Sequence, residues 1–221
     1  MYRLRIAPTL IPKSSLPTFL ILLFHGFALL VKLGAGLGLC GILACHFAPK
    51  QVLITDGDTA TLQNMRQNVQ NTVQTTGDVL VDVDVECPQL IWGSSYAHKF
   101  NKQYSGPFDT IIASDIIYDS TMIQPIWETV STLLSYQVNA GSSMEDEGMA
   151  TNKSDGVFVL AYSKRNVPIE EVLDMATSFG FEWTMADMSA LNGGGEVAAH
   201  RDPRQELADI YCFTRIKQLT M

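Results

Sequence analysis

The chain lacks the residue patterns on which several large functional classes depend. Its four cysteines, Cys40, Cys45, Cys87 and Cys212, are scattered and form no C-x-x-C pair. That argues against a disulfide-stapled fold or a zinc knuckle and leaves buried thiols in a reducing compartment. Its four histidines, His25, His46, His98 and His200, include no H-E-x-x-H, the helix motif of zinc proteases. Neither G-x-S-x-G nor G-x-x-x-x-G-K-[ST] occurs. A serine-hydrolase elbow and a triphosphate-binding loop are therefore not expected. Basic charge is short as well: 15 Lys and Arg stand against 23 Asp and Glu, for a net charge of -8. A chain that grips phosphate backbones is ordinarily basic, so nucleic acid is not an expected partner. There is no internal repeat and no heptad pattern.

Between Lys13 and Lys32 formal charge is absent, and Phe19–Val31 (FLILLFHGFALLV) is strongly apolar. With Arg3, Arg5 and Lys13 ahead of it, residues 16–33 imitate a signal anchor. The run is short for a membrane span and is interrupted by His25 and Gly26. If Phe27–Leu33 is a buried strand, too little remains to cross a bilayer. The expectation is an apolar lead over residues 1–26 and one folded domain over 27–221, with no membrane partner. The chain has 221 residues, 47% hydrophobic and 17% charged, which suits a single core.

From residue 27 onward, short apolar runs alternate with helical periodicity. Strands are predicted at Phe27–Leu33, Gln51–Thr55, Val79–Val85, Phe108–Ser114 and Val157–Tyr162. Helices are predicted at Leu37–Ala48, Thr59–Asn71, Met122–Tyr136 and Ile169–Phe179. In the third strand Val81, Val83 and Val85 alternate with Asp82, Asp84 and Glu86, which reads as a guarded edge strand. The stretch between the third and fourth strands reads as a loop containing Trp92 and Gly93, of which Glu86–Gly93 lies at the strand end. Residues 137–155 read as a surface loop and Asn192–Gln205 as a glycine-bearing loop. Phe181–Met185 and Ala208–Ile216 close the chain as an antiparallel pair. The alternation predicts a doubly wound α/β sheet, mostly parallel, with ligands at the carboxyl ends of its central strands.

Three motifs fall at those strand ends. Gly34-Ala-Gly36-Leu-Gly38-Leu-Cys-Gly41 places four glycines in eight residues between a strand and a helix. Such a turn lets a ligand approach the backbone and offers it unpaired N–H groups. Read from Gly36 it matches G-x-G-x-x-G, and Asp56 follows 20 residues later. This spacing suits a ribose-binding carboxylate and leaves a nicotinamide dinucleotide and another nucleoside ligand equally open. Asp56 is assigned to the ribose and Asp58 to capping the next helix. Ser114, Asp115 and Tyr118 end the fourth strand, where a carboxylate and a phenol lie beside a ligand's reactive end.

GAGLGLCG, VLITDGD with NMRQNV, LIWG and FDTIIASDIIYD together resemble the seven-stranded S-adenosylmethionine-dependent methyltransferases, in the protein-lysine branch called methyltransferase family 16. The segment VFVLAYSKRNVPIEEVLDMATSFGFEW resembles that family's fifth strand and following helix. The resemblance implies a Rossmann-like seven-stranded sheet whose last strand is antiparallel. It implies S-adenosylmethionine lying over Gly34, Gly36 and Gly38 and reaching Ser114, with its ribose on Asp56 and its adenine near Trp92. Asp115 and Tyr118 correspond to the family's D-x-x-Y beside the target amine. The implied substrate is a lysine of another protein, often a translation factor or chaperone. The family works mainly in cytosol or nucleus, often as a monomer. Two positions before its first glycine the family usually carries an acid; here Lys32 stands there. Residues 1–30 also lack the tryptophan found in the family's N-terminal motif. Lys32 keeps a non-catalytic relative of the same fold as an alternative, and the Gly36 register keeps an NAD-dependent oxidoreductase as another.

Overall fold

The run Leu29–Leu33 (LLVKL) is apolar on both of its alternating faces except at Lys32, and it becomes the central strand β2 of one sheet. The structure is a computed structural model and describes residues 4–6, 29–45, 50–75, 83–135, 156–164, 166–186 and 208–216. The strands are β1 Leu4–Ile6, β2, β3 Gln51–Ile54, β4 Val83–Glu86, β5 Thr110–Ser114, β6 Val157–Tyr162, β7 Phe181–Met185 and β8 Asp209–Arg215. The helices are α1 Leu39–Ala44, α2 Thr59–Thr75, α3 Ser94–Tyr104, α4 Ile123–Leu134 and α5 Ile169–Ser178. The sheet order is β1-β4-β3-β2-β5-β6-β8-β7. Strands β4, β3, β2, β5 and β6 are mutually parallel, and β8 runs antiparallel to both β6 and β7. This is the doubly wound, seven-stranded Rossmann-like arrangement expected, with one short strand added.

That addition corrects the edge reading of the third strand. Leu4–Ile6 pairs antiparallel with Val83–Val85, so β4 is an interior strand. Its alternating acids therefore do not guard an edge, and Asp84 instead accepts a long hydrogen bond from Gln51 of β3. Val79–Asp82 lie outside the described residues, as do loops 137–155 and 192–205 and most of the apolar lead. Leu29–Leu33, the end of the suspected anchor, is strand. Among the described residues no helix is long and apolar enough to cross a membrane.

Side chains alternate across β2 and sort the core into two layers. Leu30 packs with Val52, Ile54, Leu62 and Met65 beneath α1 and α2. Val31 and Leu33 pack with Ile111, Trp127, Phe158 and Phe213 beneath α4 and its neighbours. Trp127 is fully buried, and its ring lies 4.9 Å from Phe213 and 5.3 Å from Phe181. Helix α4 buries Ile123, Ile126, Trp127, Val130, Leu133 and Leu134, an i, i+3, i+4 stripe. Each of these contributes about 1.5–3 kcal/mol to the sheet–helix interface. Helix α3 occupies part of the stretch expected as loop between the third and fourth strands. It is polar, and α3 buries only Ala97 and Phe100.

Candidate active site

Strand β2 lies between β3 and β5. The chain winds from β2 toward β3 and β4 on one side, and through β5 and β6 on the other. The order reverses between β2 and β5, and in open α/β sheets that reversal opens a crevice at the carboxyl ends. Four predicted site segments end there: the glycine loop after β2, Asp56 after β3, Trp92 after β4, and Ser114–Tyr118 after β5.

The glycines of the loop have different surroundings. Gly34 has φ +53°, and a Cβ there would lie 2.7 Å from Ile116 Cγ2 and 3.2 Å from Trp92 Cζ2. Gly36 has φ +54°, and nothing lies within 4 Å of where its Cβ would be. Both need the left-handed conformation that glycine adopts without penalty. Gly34 is thus closed over by protein, whereas Gly36 is open floor. At Gly38 a Cβ would meet Met65 Cγ at 2.9 Å, and at Gly41 it would meet Ile54. Those two let α1 sit close to α2 and β3.

Asp56 ties the loop to β3. Its Oδ2 accepts the Gly36 N–H at 3.0 Å, and its Oδ1 accepts the Asp58 N–H at 3.1 Å. Each carboxylate oxygen has a second lone pair for a hydroxyl. Asp58 caps α2 by accepting the Thr61 N–H at 2.7 Å. Those hydrogen bonds hold its carboxyl below the usual range. The Leu90 N–H donates to the Asp56 carbonyl at 3.0 Å, and Gln89 Nε2 donates to the Gly57 carbonyl at 2.7 Å. The loop before α3 is thereby fixed beside Asp56. Trp92 then turns its ring onto Gly34, with its Nε1 buried and without a hydrogen-bond partner among the described residues. Gly93 N–H donates to Thr129 Oγ1 at 2.8 Å and Ser94 N–H donates to Glu128 Oε2 at 3.2 Å. Sequence reading missed Thr129 and Glu128, which lie more than thirty residues from the loop they hold.

At the end of β5, Asp115 adopts φ +55°, which is uncommon for a residue with a side chain. Its N–H donates to the Ala161 carbonyl at 3.1 Å. Ile116 and Ile117 are buried, while Asp115 is exposed and Tyr118 is 55% exposed. The two isoleucines anchor the segment in the core and leave the polar ends of D-I-I-Y outside it. Ser114 Oγ lies 3.6 Å from Cys40 Sγ of α1. That contact joins β5 to the helix after the glycine loop.

Lys32 is the charged residue of this centre that periodicity alone did not place. It is 1% exposed, on the α1 face of β2, and its Nζ donates to the Leu33 carbonyl at 2.7 Å and the Gly34 carbonyl at 3.4 Å. Burial pushes its pKa down to about 8, against the opposing influence of Cys40 and Asp56. An unfolded lysine holds its proton to about 10.4. Between the two values the unfolded chain binds more protons, so stability rises with pH across that window. Below it the cost of the buried charge is present in full, on the order of 3 kcal/mol. In denaturant titrations, Lys32→Met is therefore expected to exceed the native chain in stability near neutral pH. The gap should shrink between about pH 8 and pH 10; a constant gap would show that the charge costs nothing there.

The geometry can be set beside known proteins. The profile of the lysine methyltransferase family matches residues 26–165. No curated protein matches the chain. The O-methyltransferase of Bacillus cereus, solved with S-adenosylhomocysteine, superposes with TM-score 0.53 at 12% identity, over 96% of this chain and 84% of that one. The magnesium protoporphyrin IX methyltransferase of Synechocystis PCC 6803, solved with S-adenosylmethionine, gives 0.50 at 12% identity, over 92% and 79%. The ribosomal protein L11 methylase of Lactobacillus delbrueckii subsp. bulgaricus gives 0.50 at 15% identity, over 90% and 78%. At such identities these likenesses concern the fold. The family match spans more than half of the chain and includes the glycine loop, Asp56, Trp92 and the Ser114–Tyr118 segment; the chain belongs to the lysine methyltransferase family.

Proposed function

We propose that the chain transfers a methyl group from S-adenosylmethionine to the side-chain amine of a lysine on a protein substrate. The observation that carries this reading is the hydrogen bond from the Gly36 N–H to Asp56 Oδ2, with open space above Gly36, one strand away from Asp115. An adenosyl ligand needs a floor without side chains and a carboxylate for its ribose hydroxyls. Gly36 and Asp56 fit both needs. Gly34 and Trp92 would close the inner wall, Ser114 the side toward β5, and Gly38 the turn into α1.

The bound cofactor supplies a methyl group already activated by a sulfonium. The protein's task is to present an uncharged amine in line with it. A free lysine is protonated until about pH 10.4. Exclusion of water lowers that value, and the Asp115 carboxylate can accept a hydrogen bond from the amine and aim its lone pair. Tyr118 offers a ring face or hydroxyl as positive charge develops on nitrogen. Positioning supplies most of the rate. Exposure of Asp115 and Tyr118 at the rim supports a substrate delivered by another macromolecule, such as a translation factor or chaperone. Four free cysteines support a reducing compartment, cytosol or nucleus.

The test is transfer of labelled methyl from S-adenosylmethionine in the presence of a proteome depleted of endogenous methylation. Acid hydrolysis is expected to return the label as methyl-lysine. Label on a hydroxyl, a carboxyl group or a small molecule would replace the lysine reading while keeping methyl transfer.

A further inference from the structure

We infer that Lys32 is a specificity-determining residue of the cofactor cleft: its ammonium group occupies, from within the protein, the carbonyl pair at the end of β2 that would otherwise receive a ligand's ammonium group. This rests on the cofactor reading above. Lys32 Nζ reaches past its own strand end and donates to the carbonyls of Leu33 and Gly34. Those carbonyls belong to the last residue of β2 and the first glycine of the loop that follows it, at the carboxyl end of the central strand. Backbone carbonyls there form a cation-binding pair. A ligand bearing an amino-acid ammonium and a sulfonium would bring further positive charge toward a cation already in place, at short range and low dielectric. The charged or titratable groups acting on Lys32 are Cys40 from α1 and Asp56 from the turn after β3. Asp56 already accepts two backbone N–H groups. From β5, Ser114 adds no charge, and Asp115 is exposed beyond the strand end.

The cleft then takes an amino-acid-bearing thioether well only when Lys32 is neutral or withdrawn. Depression of the Lys32 pKa to about 8 puts that change within reach of ordinary buffers. Apparent affinity scales with the competent fraction. With that midpoint, the fraction is about one tenth near pH 7 and about nine tenths near pH 9.

The experiment is calorimetric titration of the native chain and Lys32→Met with S-adenosylhomocysteine and with 5′-methylthioadenosine. The second ligand keeps the adenosine and thioether but has no ammonium. Comparing the two proteins at one pH cancels the ligand's own titration. Lys32→Met is expected to bind S-adenosylhomocysteine about tenfold tighter near pH 7 and within about twofold near pH 9. Both proteins should bind 5′-methylthioadenosine within about twofold of each other. Should Lys32→Met not fold, Lys32→Gln takes its place. The native chain alone gives a second readout: its preference for S-adenosylhomocysteine over 5′-methylthioadenosine rises from pH 6 to pH 8. A gap that does not change with pH, an equal gap for both ligands, or weaker binding by Lys32→Met would overturn the inference. Weaker binding would mark Lys32 as a partner for the ligand's carboxylate instead. Failure of both ligands to bind any form would instead overturn the cofactor reading on which it stands.

Discussion

Asp115→Asn is expected to lower methyl transfer by at least about 100-fold, in the range usual for loss of a positioned acid–base group. Affinity for S-adenosylhomocysteine should stay within about threefold, because the carboxylate is assigned to the amine and not to the cofactor. Asparagine is the informative replacement. Asp115 sits at φ +55°, and Asn tolerates that conformation better than most side chains. Alanine would add backbone strain of about 1–2 kcal/mol and mix a folding effect with a chemical one. Thermal unfolding of Asp115→Asn should therefore match the native chain. Turnover under saturating cofactor, compared with a melting curve, checks the assignment. Undiminished turnover would remove Asp115 from the chemistry.

The second large effect concerns the glycine loop, where two neighbouring substitutions should behave differently. Gly36→Ala places its Cβ in open space, so its stability cost is confined to backbone strain, about 1–2 kcal/mol. If the cofactor lies over that floor, the new methyl group takes its place and affinity should fall by at least about 30-fold, a loss of about 2 kcal/mol. Gly34→Ala drives its Cβ to 2.7 Å from Ile116 and 3.2 Å from Trp92. It should lose binding and also cost more than about 2 kcal/mol of stability, through overpacking added to strain. Paired melts and ligand titrations separate the two. Normal ligand affinity in Gly36→Ala would mean that the ligand does not lie over that floor.

The parts of the fold visible in the sequence are those where one local signal sufficed. The bounds of Val157–Tyr162 and Phe181–Met185 are legible to the residue because these are compact apolar or alternating runs bounded by turn residues. The glycine turn and the capping role of Asp58 were likewise local. Helix α3 was invisible because its N-cap is Gly93, with no side-chain cap, and its apolar stripe is thin. The interior position of β4 depends on a three-residue partner far from it in sequence, Leu4–Ile6, and no pattern within β4 announces that. In the site, the spacing from Gly36 to Asp56 was legible, but the hydrogen bond that closes it is a product of the parallel pairing of β2 with β3. Lys32 is visible in the sequence only as a departure from the acid the family usually carries before its first glycine. That its Nζ folds forward onto the carbonyls of its own strand end required the structure. The hold of Thr129 and Glu128 on the tryptophan loop comes from helix packing alone.

Calorimetric titration of the native chain with S-adenosylhomocysteine, run beside NAD near pH 8, reads the cleft without a substrate and decides whether it is built for an adenosyl cofactor. One saturable site for S-adenosylhomocysteine is expected, weakened at least about 30-fold by Gly36→Ala, with no binding of NAD. Saturable binding of NAD with none of S-adenosylhomocysteine, from the same folded sample, would contradict that expectation.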